Sequence, residues 1–341
     1  MNKEQLQNIF KQSFSYETWQ SVLIHLFGAT ELYKEPKSTT LDSDSNEKVQ
    51  GYQLGALNTT DRYSVGLFAF EINGNANIKL NRVGLRSLVH SYIKYGYDAT
   101  IVVYYDNTHW RLSFVCDLKN EKTAPKRFTY VLGNSEETYH TAAVQLSSIN
   151  SKEPSFKSIK EAFSVEKLSK DFFGGYKARY EKFCNAIGGT EKWQRDYVKK
   201  MMGRLVFLQF LQKKGWMGVP ADRDDWVGGD SQYMQHLIQR YEGNNRLLSD
   251  ILEPLFFDTL NTKRTSDVVD SILGNNIKIP YLNGGLFDKD SIDEENIDFP
   301  YDYFADLMDF FSQYNFTIDE NDPDDTEVGI DPEMLGHIFE N

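Results

Sequence analysis

The sequence predicts an α+β fold, with a mixed α/β domain over residues 1–150 and an α-helical domain over residues 151–341. Strand-like runs rich in Val, Ile, Tyr and Phe, separated by Gly or Asn, fill most of the first part. In the second part, apolar residues recur at helical spacings of three and four. The length of 341 residues suits two domains, and the 40% hydrophobic share is ample for packed cores.

In the first domain, an amphipathic pattern predicts a helix over residues 3–27, and the polar residues 34–48 predict a loop. Strands follow the loop, and between the second and third of them residues 81–97 have the apolar spacing of a helix. This order indicates an α+β or α/β unit that ends near residue 150. The predicted strands are the runs YQLGAL, YSVGLFAFEI, DATIVVYYD, WRLSFVCDL and RFTYVLG.

In the second domain, helical patterns run from residue 158 to residue 260, and another helix is predicted over residues 301–316. A last helix is predicted to begin at Asp331 and Pro332, because Asp caps helix N-termini and Pro fits the first helical position. The sequence stops at Asn341 within this pattern. We therefore expect the chain to be the N-terminal fragment of a longer protein.

Composition and motifs exclude several classes of protein. No run approaches the roughly 18 apolar residues of a membrane span, and the N-terminus lacks the apolar stretch of a secretory signal. Cys116 and Cys184 lie far apart in the sequence, which argues against a disulfide scaffold or a zinc site and favours the cytoplasm. No Walker A, HExxH, GxSxG or GxGxxG motif occurs, and the six histidines have no metal-ligand spacing.

The net charge of −13 is distributed unevenly along the chain. Residues 281–341 contain 18 acids and one base, so residues 1–280 hold 32 acids and 36 bases. Residues 157–214 alone carry 14 bases against 6 acids. A basic body with an acidic end suits contact with a polyanion, and the alternative is that these bases form solvated helix faces.

This charge pattern supplies candidates for contacts with the phosphates of double-stranded DNA. Arg82 and Arg86 are four residues apart and share one face of the predicted helix, as a phosphate clamp requires. The alternative for this pair is salt bridges to neighbouring acids. The other candidates are Lys126, Arg127, Lys199, Lys200, Arg204, Lys213 and Lys214.

Two carboxylates in the first domain suggest a metal-dependent nuclease. Asp61 precedes a predicted strand and Glu71 ends it, and two carboxylates from adjoining strands chelate Mg²⁺, which polarises a phosphate and activates water. Nuclease sites of this kind carry a Lys two positions beyond the second acid. Asn73 occupies that position, so Lys79 is the candidate stabilising cation. The alternative is that Glu71 only lies at a strand edge.

Three segments resemble the N-terminal region of bacterial type IIG restriction–modification enzymes, large single chains that combine DNA cleavage with adenine methylation. The first begins FEIN and continues through KLNRVGLRSLV, DATIVVYYD, WRLSFV and KRFTYVLG. The second is MGRLVFLQFLQKKGWMGV. The third joins IPYLNGGLFD to FSQYNFTIDENDPDDTEVGIDPEMLGHIFEN. These segments cover about three-quarters of the chain, but none of them is a catalytic motif.

The resemblance implies an endonuclease domain of the Asp…(Glu/Asp)-x-Lys class, with Asn73 departing from that pattern. It also implies that residues after 150 form a helical connector, placed against DNA, that leads into a methyltransferase domain. The S-adenosylmethionine-binding and Asn-Pro-Pro-Tyr/Phe motifs of that domain are absent here. We therefore expect the parent protein, and not this chain alone, to bind S-adenosylmethionine and methylate DNA.

Three hypotheses follow. The chain is the nuclease part of a restriction–modification protein, with Mg²⁺ held by Asp61 and Glu71. Alternatively, it is a non-catalytic scaffold that binds DNA and couples domains around a degenerate nuclease fold. A third possibility is an interaction protein whose acidic end mimics DNA or binds a basic partner.

Overall fold

The computed structural model describes residues 1–39, 49–72, 78, 96–116, 126–133, 139–282, 284–295, 297–317 and 325–332. It confirms the mixed class of fold that the sequence predicts, a mixed sheet with helices. The chain forms two compact units. The first is Met1–Leu168 with Asp319–Gly329, and the second is Ser169–Ile318 with Ile330–Asn341.

Within the described residues, the first unit is built on a seven-stranded mixed sheet of order β1-β2-β3-β4-β5-β6-β10. Neighbouring strands are antiparallel except for the pairs β3 with β4 and β6 with β10, which are parallel. The strands β2 to β6 confirm the five predicted strand runs. The bounds are β1 Glu31–Thr39, β2 Val49–Asn58, β3 Ser64–Ile72, β4 Ala99–Tyr105, β5 Trp110–Cys116, β6 Lys126–Leu132 and β10 Asp325–Glu327.

Two short helices begin the first unit where the sequence predicts one long helix. Helix α1 (Lys3–Phe10) has a capping box at Asn2, and α2 (Tyr16–His25) begins where the Ser15 side chain accepts a hydrogen bond from the backbone of Thr18. Ser15 therefore starts a new helix and interrupts the predicted one. Aromatic side chains join the helices to the sheet, since the rings of Phe10 and Trp110 lie 5.8 Å apart.

Two further helices belong to the first unit, and the second of them lies beyond residue 150. These are α3 (Tyr139–Leu146) and α4 (Phe156–Ala162). After α4, the ring of Phe163 stacks on Phe114 at 5.5 Å. The Tyr130 hydroxyl donates a hydrogen bond to the Ala162 carbonyl at 2.6 Å. This part of the first compact unit therefore continues to Leu168.

The second unit is mainly helical, but it also contains a three-stranded sheet of order β7-β9-β8 that the sequence does not predict. Its core is strongly aromatic, as the ring contact of Phe172 with Phe310 at 5.3 Å illustrates. None of the helices within the described residues has the length and apolar character to span a bilayer. The elements are α5 Val165–Cys184, α6 Glu191–Lys213, β7 Val219–Pro220, α7 Tyr233–Arg240, π-helices Leu248–Leu252 and Pro254–Leu260, β8 Val268–Ser271, β9 Gly274–Lys278 and α8 Tyr301–Phe311.

Candidate functional site

The carboxyl ends of β3 and β4 lie side by side in the first unit. Glu71 near the end of β3 is in register with Tyr105 at the end of β4, and across the antiparallel pair it is opposite Gln50 on β2. In open sheets with parallel strands, ligands bind in the crevice outside the carboxyl ends of the strands. The position of Glu71 is therefore a candidate site.

A cavity of about 350 Å³ opens at this end of the sheet, and two carboxylates, Glu71 and Asp106, line it. Asp106 holds the turn between β4 and β5, because its Oδ1 accepts hydrogen bonds from the backbone amides of Thr108 and His109, each at 2.7 Å. Glu71 is partly exposed, and no residue in the described part of the chain is hydrogen-bonded to or ion-paired with its carboxylate. With respect to the residues that the structure describes, the Glu71 carboxylate is thus available to coordinate a cation.

Aromatic side chains form one wall of this cavity. The ring of Phe14 stacks on Tyr105 at 4.1 Å, and Tyr16 meets Tyr105 edge to face at 5.8 Å. Burial raises the pKa of Tyr105 to about 12, and the negative charge of Glu71 acts in the same direction. Burial also raises the pKa of Tyr16. Both phenols therefore stay protonated at neutral pH and can act as hydrogen-bond donors.

The structure does not bring Asp61 to Glu71, which corrects the predicted pair of metal ligands. Asp61 lies in the turn before β3, and the seven-residue rise from Ser64 to Glu71 separates the two ends by roughly 23 Å. Ligands of one Mg²⁺ ion each lie about 2 Å from it. Asp61 instead caps helix α4, accepting hydrogen bonds from the backbone amides of Phe156 at 2.8 Å and Lys157 at 3.3 Å.

The segment predicted to cross from β3 to β4 lies largely outside the described residues. This applies to Asn73, to the candidate cation Lys79, and to the predicted clamp of Arg82 and Arg86. Ile78 is described, and it is buried in a cluster whose other members come from β3 and β4. Those members are Phe68, Phe70, Ile72, Val102 and Tyr104.

Two cations predicted to contact DNA are bound inside the second unit, which corrects those predictions. Arg204 is 2% exposed, and its guanidinium nitrogens contact both Asp293 carboxylate oxygens at 2.6 and 2.9 Å. It also donates to the carbonyls of Leu286 and Asp288. Lys200 donates to Asp293 at 3.0 Å. Neither side chain is free to bind a phosphate.

The other predicted DNA contacts have different environments. Arg127 is buried at 2% exposure because β6 lies between β5 and β10, so its candidacy is also corrected. The backbone of Lys126 belongs to β6, but its side chain lies outside the described residues. Lys199 is partly exposed on α6, as is Lys213 at the helix end. Lys214 is exposed, with its ammonium 4.1 Å from the centre of the Trp216 ring.

The acidic end and the basic stretch of the sequence meet within the second unit. One meeting point is the Arg204 cluster, formed by Arg204 and Lys200 with Asp293. In addition, Arg179 pairs with Asp306 at 2.9 Å, and Lys182 lies 3.8 Å from the same carboxylate. Part of the positive charge that suggests polyanion binding is therefore neutralised by acids about a hundred residues away in sequence. The cluster also joins the MGRL and NGGLFD segments, since Arg204 of the first donates hydrogen bonds to backbone carbonyls of the second.

Sequence reasoning missed Asp106, Tyr16 and Tyr105. The signal for Asp106 is its position directly after the apolar run VVYY, as Glu71 ends the run FAFEI. Adjacency of the two acids depends on the parallel pairing of β3 with β4, which the residue pattern does not specify. Among the described residues, no group of three or more His, Cys, Asp or Glu side chains converges as a metal site would require.

Comparison with known proteins gives one informative match. A curated protein of Methanocaldococcus jannaschii, named "Putative type II restriction enzyme and methyltransferase", is 28% identical to the chain over 191 residues. The match covers 54% of this chain and 15% of the length of that protein. No family model matches the chain, and no solved structure matches it. The chain is thus similar to a small part of a restriction–modification enzyme.

Proposed function

We propose that the chain is the N-terminal, DNA-acting part of a restriction–modification protein. Its first unit would be the nuclease domain, and its second unit would connect that domain to a methyltransferase. The 191-residue similarity to a restriction enzyme and methyltransferase is the observation that carries this proposal. The Glu71 carboxylate, which lines a cavity at the carboxyl ends of two parallel strands, supports it independently.

The donor set of the Glu71 cavity suits Mg²⁺. Proteins usually bind this ion through one or two carboxylates, with water and substrate phosphate completing the shell. Glu71 would hold it, together with Asp106 through the Oδ2 oxygen, because Oδ1 is occupied by the β4–β5 turn. When bound, Mg²⁺ would polarise the scissile phosphate and lower the pKa of an attacking water.

The chain's own side chains would position the DNA backbone in this cavity. The protonated hydroxyl of Tyr105, which lines the cavity, is a donor suited to a non-bridging oxygen of a phosphate. The stacked ring of Phe14 restricts the motion of Tyr105. The Glu71 carboxylate has no partner among the described residues. A cation could therefore replace water at this carboxylate without breaking a contact that these residues make.

The second candidate function is a non-catalytic scaffold that binds DNA and couples domains. Two observations favour it: Asp61 is committed to capping α4, and Asn73 stands where nucleases of this class carry a Lys. In this case DNA binding would depend on exposed cations such as Lys199 and Lys214.

DNA binding itself is tested by measuring how the affinity for a mixed-sequence duplex depends on salt. Fluorescence anisotropy reports the affinity, and Ca²⁺ replaces Mg²⁺ in the buffer. Each neutralised phosphate contributes about 0.9 to the negative slope of log affinity against log salt. We expect a slope that corresponds to several phosphate contacts. Undetectable binding at low salt, or an affinity that salt does not change, would contradict both candidate functions.

A further inference from the structure

A second cavity, of about 640 Å³, lies between α5 and α6 of the second unit. On the α5 side, Phe173, Tyr176 and Tyr180 are spaced by three and four residues and therefore share one face of the helix. Such a stripe normally packs against another element, yet the Phe173 side chain is 38% exposed. Phe173 and Tyr180 thus form an aromatic wall that is open to solvent, with Tyr176 buried behind them.

The charges around this cleft do not cancel. Arg195 is paired with Glu181 at 3.0 Å and with Glu191 at 3.1 Å. On the same helix, Asp196 is paired with Lys192. Lys177 on α5 and Lys199 on α6 also line the cleft, and neither is paired with an acid in the described part of this unit. With their partners included, the residues around the cleft carry four bases and three acids, and among the described residues Lys177 and Lys199 are the lining cations without an acidic partner.

Within the aromatic wall, Tyr180 is held in place before any ligand binds. The Tyr180 hydroxyl donates a hydrogen bond to the carbonyl of Arg195 at 3.1 Å, which joins α5 to α6. Burial raises the pKa of Tyr180 to about 12, so this donor persists at physiological pH. The ring of Tyr176 is buried beneath the surface. A ligand that stacks here would not have to pay the full cost of ordering these side chains.

We propose that the α5–α6 cleft binds an unpaired nucleotide, with its base against Phe173 and Tyr180 and its phosphate between Lys177 and Lys199. Aromatic side chains beside a cationic groove are the usual means of holding single-stranded nucleic acid, because every base has a stacking face. In a duplex those faces are covered by neighbouring base pairs. The cavity volume is in the range typical of small-ligand sites, about 300 to 1,000 Å³.

This inference stands on the second unit alone and does not depend on a nuclease site at Glu71. A free nucleotide and an unpaired nucleotide within a DNA strand present the same base and phosphate. Their binding is measured separately, by calorimetry with adenosine monophosphate and by anisotropy with a labelled mixed-sequence single strand. A duplex of the same sequence serves as the third ligand.

We expect the full chain to bind at least one of the two unpaired ligands. Phe173→Ala should weaken that binding about five- to a hundredfold, because base stacking on an aromatic side chain has an effect of this order. Lys177→Ala with Lys199→Ala should also weaken it and reduce its salt dependence. Matched exposed controls, Ile272→Ala and Lys263→Ala, should leave the affinity unchanged.

The substituted side chains are exposed or partly exposed, so thermal melting should show that each variant folds like the wild type. Binding of the monophosphate identifies a free nucleotide as a sufficient ligand, and binding of the strand alone identifies a DNA segment. The proposal is overturned if neither unpaired ligand binds, or if Phe173→Ala binds them as tightly as the wild type does. Cleavage that depends on Glu71 should persist in Phe173→Ala. A failure of the nucleotide-binding proposal can therefore be told apart from a failure of the proposed nuclease function.

Discussion

Replacement of Glu71 by Gln is expected to abolish Mg²⁺-dependent cleavage of duplex DNA while leaving the fold intact. Glutamine keeps the size of the side chain but removes the negative charge that would hold the cation. Loss of a group that only orients a metal ligand lowers metal affinity or activity about 10- to 100-fold. Loss of a ligand itself should therefore reduce the cleavage rate at least about a hundredfold. Since the Glu71 carboxylate has no hydrogen-bond or ion-pair partner among the described residues, the free energy of unfolding should barely change.

Two matched variants separate catalysis from structure in this assay. Glu35→Gln changes an exposed acid on edge strand β1 and should cleave supercoiled plasmid at the wild-type rate. Asp61→Asn should also retain cleavage per folded molecule, because Asp61 caps α4 far from Glu71. Asp61→Ala should lower the free energy of unfolding by about 1 kcal/mol, as cap removal does.

Cleavage by Glu71→Gln at the wild-type rate would refute the assignment of Glu71 as a metal ligand. An inactive wild-type chain that still binds DNA would favour the scaffold function.

Replacement of Arg204 by Ala is expected to reduce the free energy of unfolding of the second unit by about 3–5 kcal/mol. The Arg204 and Asp293 side chains are only 2% and 6% exposed, so truncation leaves a buried carboxylate without its bidentate partner. The carbonyl of Leu286 also loses the hydrogen bond from Arg204, whereas the carbonyl of Asp288 keeps the one from Lys200. Urea denaturation followed by circular dichroism measures this loss.

An exposed pair of the same residue types provides the control for Arg204. Arg246→Ala removes a pair with Asp250 in which the side chains are 62% and 41% exposed, and it should barely change the free energy of unfolding. Equal losses in the two variants would show that the Arg204 cluster does not stabilise the fold. The double variant Arg204→Met with Asp293→Leu should recover much of the stability, because no charge is then buried alone.

The same cluster predicts how stability depends on pH. Burial alone would raise the pKa of Asp293, but hydrogen bonds from Arg204 and Lys200 lower it below its ordinary value of 3.8. A depressed folded-state pKa gives stability that is fully present above the unfolded-state value and is lost as the pH falls through the folded-state value. The wild-type chain should therefore lose this contribution at acidic pH, below about 4, and Arg204→Ala should show a weaker acid dependence.

The central strands of the first unit could be predicted because their residues are apolar, aromatic or β-branched over whole runs. Strand β1 lacks that signal, since its exposed positions include Lys34, Glu35 and Lys37. Charges and proline on an edge strand discourage pairing with other chains, and the same features make it resemble a loop. Strand β10 has only three residues, and its pairing with β6 is set by long-range contacts.

The candidate site could be predicted only in part, for a similar physical reason. Composition and spacing show where charges lie along the chain, but they do not show which charges are paired after folding. Arg204 and Lys200 looked like a basic face, yet their partners are 82 to 93 residues away in sequence. Glu71 was predictable as an acid that ends an apolar strand. Asp106 becomes its neighbour only through the parallel pairing of β3 with β4.

The position of a bound divalent cation would show directly whether Glu71 marks a metal-dependent DNA cleavage site. Crystals of the chain with duplex DNA and Mn²⁺ would reveal the ion by its anomalous scattering. We expect an ion within about 2.5 Å of a Glu71 carboxylate oxygen, close to Asp106 and to a DNA phosphate, and no such ion in Glu71→Gln. DNA bound with no ion at Glu71, or with the ion held elsewhere, would contradict it.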